Sequence, residues 1–167
     1  MLGEVTLSSG RTAQYYVDAR RALLRPLGFR AAGELIAAAA VRLGAEAVGG
    51  PVMAAIPLAC AAIAVPEGEG LVGFFVRKET KAHGLQRMVE GPVQTGTKVL
   101  VVEDTVTTGG STIDAVERIR EHGLEIVGGV CVVDRLAGGR EAIAASITAP
   151  FEALVTIDDL YPERPDR

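Results

Sequence analysis

Residues 98–112 read KVLVVEDTVTTGGST, and the order of residue types in this stretch decides the fold. Val99, Leu100, Val101 and Val102 are an uninterrupted apolar run rich in β-branched residues, the pattern of a strand buried on both faces of a parallel sheet. Two acids, Glu103 and Asp104, are predicted to end it. A loop of small residues and hydroxyls follows (Thr105, Thr107, Thr108, Gly109, Gly110, Ser111, Thr112), and then Ile113, Ala115, Val116 and Ile119 at helical spacing. The expectation is strand, loop, helix.

Such a loop suits a phosphate. Glycines let backbone N–H groups turn toward an anion, and the N-terminus of the following helix carries a partial positive charge. The two carboxylates would repel a phosphate, so they are expected to face donors such as sugar hydroxyls, or a divalent cation. Hydroxyls and phosphate together point to a ribose 5-phosphate. The loop lacks the GK[ST] ending of a nucleoside-triphosphate cradle, and no GxGxxG occurs within it. An ordinary strand-to-helix turn also uses Thr, Ser and Gly. The combination of apolar run, paired acids and five hydroxyl residues is more specific than that. It resembles the phosphoribosyl-diphosphate (PRPP) signature of type I phosphoribosyltransferases.

The whole chain has 167 residues, 49% of them apolar, enough for one domain with a sizeable core and too few for two. The net charge of −4 gives nonspecific nucleic-acid binding no support, and a polyanionic substrate would need clustered cations or metal. Cys60 and Cys131 stand far apart in apolar runs without metal-ligand spacing, so both are expected to be small buried residues of a cytoplasmic protein. No signal peptide is apparent at the N-terminus. Residues 47–66 carry no charge, but Gly49, Gly50, Pro51, Pro57 and Pro66 interrupt them, which argues against a membrane span.

On the N-terminal side, residues 5–18 (VTLSSGRTAQYYVD) read as two short strands around a Ser-Ser-Gly-Arg turn, with Tyr15, Tyr16 and Val17 in the second. Adjacent residues of a strand point to opposite faces, so one tyrosine is placed for the core and one to cover a flat ligand. Residues 30–43 have helical spacing and stop at Gly44. Residues 45–50 read as a strand, 57–64 as a helix opened by Pro57, and 71–76 as another strand. This alternation predicts an α/β domain with a mainly parallel central sheet flanked by helices.

Residues 77–92 (RKETKAHGLQRMVEGP) break the pattern with four basic residues and a histidine, and are expected to form a long exposed loop able to meet a diphosphate. Beyond the central helix, residues 126–133 read as a buried strand ended by Asp134 and Arg135. An arginine there lies where open α/β sheets bind ligands, or else it pairs with Asp134 or Glu141. Residues 151–157 read as a last strand, followed by a mobile polar tail from Pro162.

Four segments, VTLSSGRTAQYYVD, RKETKAHG, VLVVEDTVTTGGST and VVDR, together resemble the orotate phosphoribosyltransferase family over nearly the whole length, most closely its actinobacterial branch. The resemblance implies a type I phosphoribosyltransferase fold as one domain over residues 1–167, with a small N-terminal β hood (about 1–25) on a core (about 26–160). It implies transfer of ribose 5-phosphate from PRPP to orotate with Mg²⁺, giving orotidine 5′-monophosphate and diphosphate in pyrimidine synthesis. Glu103 and Asp104 would hold the ribose hydroxyls, and Thr105, Val106, Thr107, Thr108, Gly109, Gly110 and Ser111 the 5′-phosphate. Arg77, Lys78, Lys81 and His83 would bind diphosphate, with Lys81 acting mainly in the transition state. Orotate would contact Tyr16, Val17, Thr107 and Arg135. No dedicated protein ligand for Mg²⁺ is implied, since PRPP itself would hold most of its coordination. The basic loop would complete the neighbouring site of a homodimer.

Three departures from the family pattern matter. Ser8 replaces a PRPP-contacting lysine of many members, as an actinobacterial-type sequence should. Residues 51–55, PVMAA, replace a tyrosine, lysine and glycine found in some relatives, leaving the diphosphate side poor in charge. The chain also begins near the first matching strand, without the helix that usually precedes it, which implies a shortened chain or altered dimer packing. Two other readings are a phosphoribosyltransferase for another base, which Arg135 would discriminate, and a non-catalytic PRPP-binding regulator. The acidic total and the cationic loop argue against the regulator.

Overall fold

The structure is a computed structural model that describes residues 2–6, 12–78 and 88–165. Two strands, β1 (Leu2–Thr6) and β2 (Thr12–Tyr15), pair antiparallel as a small sheet of their own. A single helical turn, α1 (Arg20–Leu23), leads into the long helix α2 (Pro26–Leu43). Then come β3 (Ala47–Pro51), α3 (Ala55–Ile63), β4 (Val72–Val76) and the two-residue β5 (Val89–Glu90). The rest is β6 (Lys98–Val106), α4 (Gly110–Glu121), β7 (Glu125–Asp134), α5 (Gly139–Ile147), β8 (Phe151–Thr156) and α6 (Ile157–Leu160).

The main sheet has the order β5-β4-β3-β6-β7-β8, parallel throughout except for β5. Strand β6 is its centre, and its residues alternate between two cores. Leu100 and Val102 pack with Ile36, Ala40, Val48 and Leu58 beneath α2 and α3. Val99 and Val101 pack with Phe74, Val76, Ala115 and Ile119 beneath α4. Burial of both faces is why the strand reads as a continuous apolar run.

Helix α2 starts earlier than its apolar spacing predicts, because Pro26 sits at the first helical position, where its missing N–H costs nothing. Gly28 looks like a breaker, yet α2 passes so close to α1 there that a Cβ would stand 2.2 Å from the Ala22 carbonyl oxygen. Gly44 ends the helix in the left-handed conformation, as expected.

Several expectations need correction. The acids do not end β6. The strand runs on to Val106 because β7 accompanies it, with Thr105 opposite Val133 and Val106 opposite Asp134. Strand β2 stops at Tyr15, so Tyr16 and Val17 follow it rather than lie in it. The basic excursion is shorter than residues 77–92: Val89, 3% exposed, returns to the sheet edge opposite Val76. Cys60 is exposed, since α3 turns Leu58, Ala59, Ala61 and Ala62 inward instead; Cys131 is buried as expected. Within the polar tail, Arg164 is tied back, with a half-exposed Asp158 accepting from its buried side chain.

Helices α5 and α6 are additions to the elements legible in sequence. Residues 68–73, GEGLVG, do spell GxGxxG, but they enter β4 instead of leaving a strand for a helix, so no helix N-terminus stands ready for a dinucleotide. Among the described residues no helix is long and apolar enough to cross a membrane.

Candidate active site

The site forms where β3 and β6 part. Their pairing ends at Gly49 opposite Val101, while β6 continues for five residues beside β7 alone. Glu103 and Asp104 stand on that extension. Glu103 is only 6% exposed and accepts from the buried Thr112 hydroxyl through Oε2 (3.1 Å) and from the Asp104 N–H through Oε1 (3.2 Å). Burial, with the neighbouring Asp104 charge, raises its pKa to about 7, although the Thr112 hydroxyl and the Asp104 N–H favour the charged form. Asp104 is half-buried and accepts from the Thr105 N–H at 2.7 Å.

The chain then turns through Thr107 and Thr108 into α4. Gly109, just before the helix, has φ +81°, and a Cβ there would lie 2.9 Å from the Gly139 carbonyl oxygen and from Ile143 Cγ1. Glycine is therefore required twice over, by conformation and by space. The Gly139 N–H donates to the Thr107 carbonyl (3.1 Å), and the Arg135 N–H to that of Val106 (2.9 Å), fixing the loop to the ends of the neighbouring elements. The first N–H groups of α4, from Gly110 onward, have no partner in the helix and carry its positive end. Gly110 and Ser111 are exposed, open to an anion.

At the end of β7, Asp134 is 1% exposed and accepts from the Leu136 N–H through Oδ1 (2.8 Å). Arg140 Nε approaches its other oxygen at 3.4 Å and Arg140 Nη2 reaches Glu141 at 3.1 Å. The ion pairs open to Arg135 in the sequence are thus made by Arg140. Arg135 lies over the Tyr15 ring, 5.0 Å from its centroid, and its buried Nε has no hydrogen-bond partner among the described residues.

A phosphoribosyl transferase domain model matches residues 48–150. An orotate phosphoribosyltransferase from Corynebacterium glutamicum (strain R) is 49% identical over 158 residues, covering 95% of this chain and 85% of that one. The chain belongs to the orotate phosphoribosyltransferase family. The crystal structure of Mycobacterium tuberculosis H37Rv orotate phosphoribosyltransferase in complex with Fe(III) dicitrate matches with a TM-score of 0.84 at 44% identity, covering 95% of this chain and 90% of that one. The same enzyme in complex with PRPP matches at 0.81 and 39%, with the same coverages. The six mostly parallel strands flanked by helices are the type I phosphoribosyltransferase fold.

Against that family background, the described site residues fall into three groups. Glu103, Asp104 and the loop from Thr105 to Ser111 form one, with Val106 contributing backbone alone because its side chain is 1% exposed in the core. Arg77 and Lys78 form a second at the end of β4, where they line a shallow hollow with Val52 and Phe75 beside the residues that follow β3. Arg77 also faces Glu90 at 3.8 Å. Tyr16, Val17 and Arg135 make a third, at the ends of β2 and β7, with Tyr16 and Val17 half-buried. Lys81, His83 and Ser8 lie outside the described residues.

Sequence reasoning missed Arg140 and Arg20, and it named Thr112, Asp134 and Tyr15 without the contacts they make. Arg20 donates to Asp18 (3.0 Å) and to the Tyr16 hydroxyl (3.2 Å), and its pKa is raised by the Asp18 hydrogen bond first and only weakly by Asp104. Thr112 was legible as a member of the loop, but its use as the partner of Glu103 depends on β6 and α4 folding back on each other.

Proposed function

We propose that this chain transfers the 5-phosphoribosyl group of PRPP to orotate, giving orotidine 5′-monophosphate and diphosphate, in de novo pyrimidine synthesis. The observation that carries the reading is the joining, at one sheet end, of paired acids, a glycine-shaped anion cradle and an arginine whose buried Nε lacks a partner among the described residues.

Each part has a role in that chemistry. The cradle from Thr105 to Ser111 takes the 5′-phosphate on backbone N–H groups and hydroxyls. Glu103 and Asp104 accept from the ribose hydroxyls, which orients the anomeric carbon. Arg135 takes the orotate carboxylate, as a planar guanidinium does well, with Tyr16, Val17 and Thr107 around the ring. Attack by the base nitrogen on the anomeric carbon breaks its bond to diphosphate. Positive charge builds on the ribose and negative charge on the leaving group, so no protein nucleophile is needed. Arg77, Lys78, Lys81 and His83 meet the leaving charge, with Lys81 acting mainly in the transition state.

Mg²⁺ fits this donor set only as an ion carried by PRPP. Among the described residues no group of three or more His, Cys, Asp or Glu could hold a metal. Asp104, with Glu103, would supply at most a share of its oxygen shell. When bound, the ion neutralises charge on the diphosphate. In this reading the protein works in the cytoplasm as a homodimer, with residues 77–83 completing the neighbouring site; residues 79–87 lie outside the described ones.

The test follows orotate absorbance with PRPP and Mg²⁺, for the unaltered protein and for Arg135→Ala. PRPP-dependent loss of orotate is expected, and Arg135→Ala should raise the orotate KM while sparing that of PRPP. Turnover of adenine or hypoxanthine in place of orotate would overturn the substrate.

A further inference from the structure

Arg135 is a long side chain at the end of a strand, and nothing in its own backbone position fixes the guanidinium. A binding site pays for such freedom on every encounter, because a bound anion must first order the group. Here two separate segments converge to order it beforehand. Tyr15, the last residue of β2, is 4% exposed and lies under the guanidinium at 5.0 Å. Tyr161, just after α6, meets the Tyr15 ring edge-on, with centroids 5.6 Å apart and planes at 87°.

Tyr161 is itself held. Asp134 lies in register with Thr156, so β8 ends level with the strand that delivers Arg135. Thr156 and Asp159 form a capping box at the start of α6, the Thr156 N–H and hydroxyl each donating to Asp159 Oδ2 at 2.7 Å, and Ile157 is fully buried. The Tyr161 N–H donates to the Ile157 carbonyl at 2.8 Å. The sheet end thus fixes Tyr161, Tyr161 braces Tyr15, and Tyr15 faces the arginine. Cation–π attraction holds the charge over the ring without using the N–H groups that would bind a carboxylate.

We propose that Tyr15 and Tyr161 are positioning residues for base selection, acting on orotate through Arg135. The proposal rests on Arg135 being the carboxylate contact. Neither tyrosine has to touch the substrate, and the effect belongs to the base alone, since the phosphate cradle and the ribose acids are held by other contacts.

The experiment compares Tyr15→Leu, Tyr15→Phe, Tyr161→Leu and Tyr161→Phe with Arg135→Ala, measuring kcat and the KM for orotate and PRPP separately. Each leucine variant should raise the orotate KM by about tenfold, with kcat and the PRPP KM within about twofold of the unaltered protein. Each phenylalanine variant should recover most of the loss, because the ring face remains. Tyr161→Leu keeps the test informative if Tyr15→Leu fails to fold, since Tyr161 is only half-buried. Parallel rises in both KM values would mean general loosening and overturn the proposal. So would an unchanged orotate KM in the leucine variants when Arg135→Ala raises it. An unchanged orotate KM in Arg135→Ala would remove Arg135 from the base site, and the positioning role with it.

Discussion

Replacing Glu103 by glutamine should make the protein more stable at alkaline pH and leave it nearly unchanged in acid. Glu103 is 6% exposed, and burial first, then the Asp104 charge, carries its pKa from the ordinary 4.5 to about 7. Between those values the folded state keeps a proton that the unfolded chain has lost. Stability therefore falls as pH rises through this window, and the full penalty is present above pH 7. A shift of this size corresponds to about 3 kcal/mol. Glutamine has nearly the same shape and no charge, but its amide N–H groups need partners in a place built for acceptors, which returns about 1 kcal/mol. The net gain at pH 8.5 should be about 2 kcal/mol, or roughly a 1 M rise in the urea midpoint for an m-value near 2 kcal/mol/M. At pH 5 the midpoints should coincide. Urea titrations of both proteins across pH 5 to 8.5 test this, and an equal difference at the two extremes would refute the argument, because it would mean that charge is not what the site resists. Activity should move the opposite way, since an amide is a poorer acceptor for ribose hydroxyls than a carboxylate.

Three further outcomes follow from the same geometry. Thr112→Val removes the hydroxyl that favours ionised Glu103 and should raise that pKa by about one, weakening PRPP binding about fivefold at pH 7 and much less at pH 9; a pH-independent loss would point to simple packing damage. Gly109→Ala forces a Cβ into a left-handed position 2.9 Å from the Gly139 carbonyl oxygen, so it should cost about 1–3 kcal/mol in thermal unfolding and weaken PRPP, and an unshifted melt would contradict it. Lys81→Ala should lower kcat by about 10²–10³ with PRPP binding largely kept, and unchanged turnover would take Lys81 out of the mechanism.

What the sequence revealed and what it hid follow from the range of the forces involved. The valine run of β6, the Gly44 stop of α2 and the strand-loop-helix around Gly109 are local patterns, and each is present as read. The end of β6 was misplaced because extension through Glu103 and Asp104 depends on a neighbour 28 residues away in sequence, the stretch of β7 from Cys131 to Asp134. Cys60 was misjudged because composition says that a residue sits in an apolar segment, whereas helical phase decides which side it faces. The surroundings of Arg135 were hardest to read. Tyr15 and Tyr16 are adjacent and chemically identical, and only the arrival of Arg135 and Tyr161 from distant segments shows which one faces the arginine.

The parting of β3 from β6 after Gly49 and Val101 seats the paired acids and the loop that follows them in a gap within one sheet. Its walls are rooted in the same ladder of hydrogen bonds a few residues below, so they cannot swing apart without tearing the sheet. The distance from the acids to the helix end is accordingly a fixed gauge, set by the end of β6 beyond Asp104 and the tight turn at Gly109. A sugar phosphate one carbon shorter or longer than ribose would have to bring its hydroxyls and its phosphate to the same two stops, and the frame would not bend to meet it.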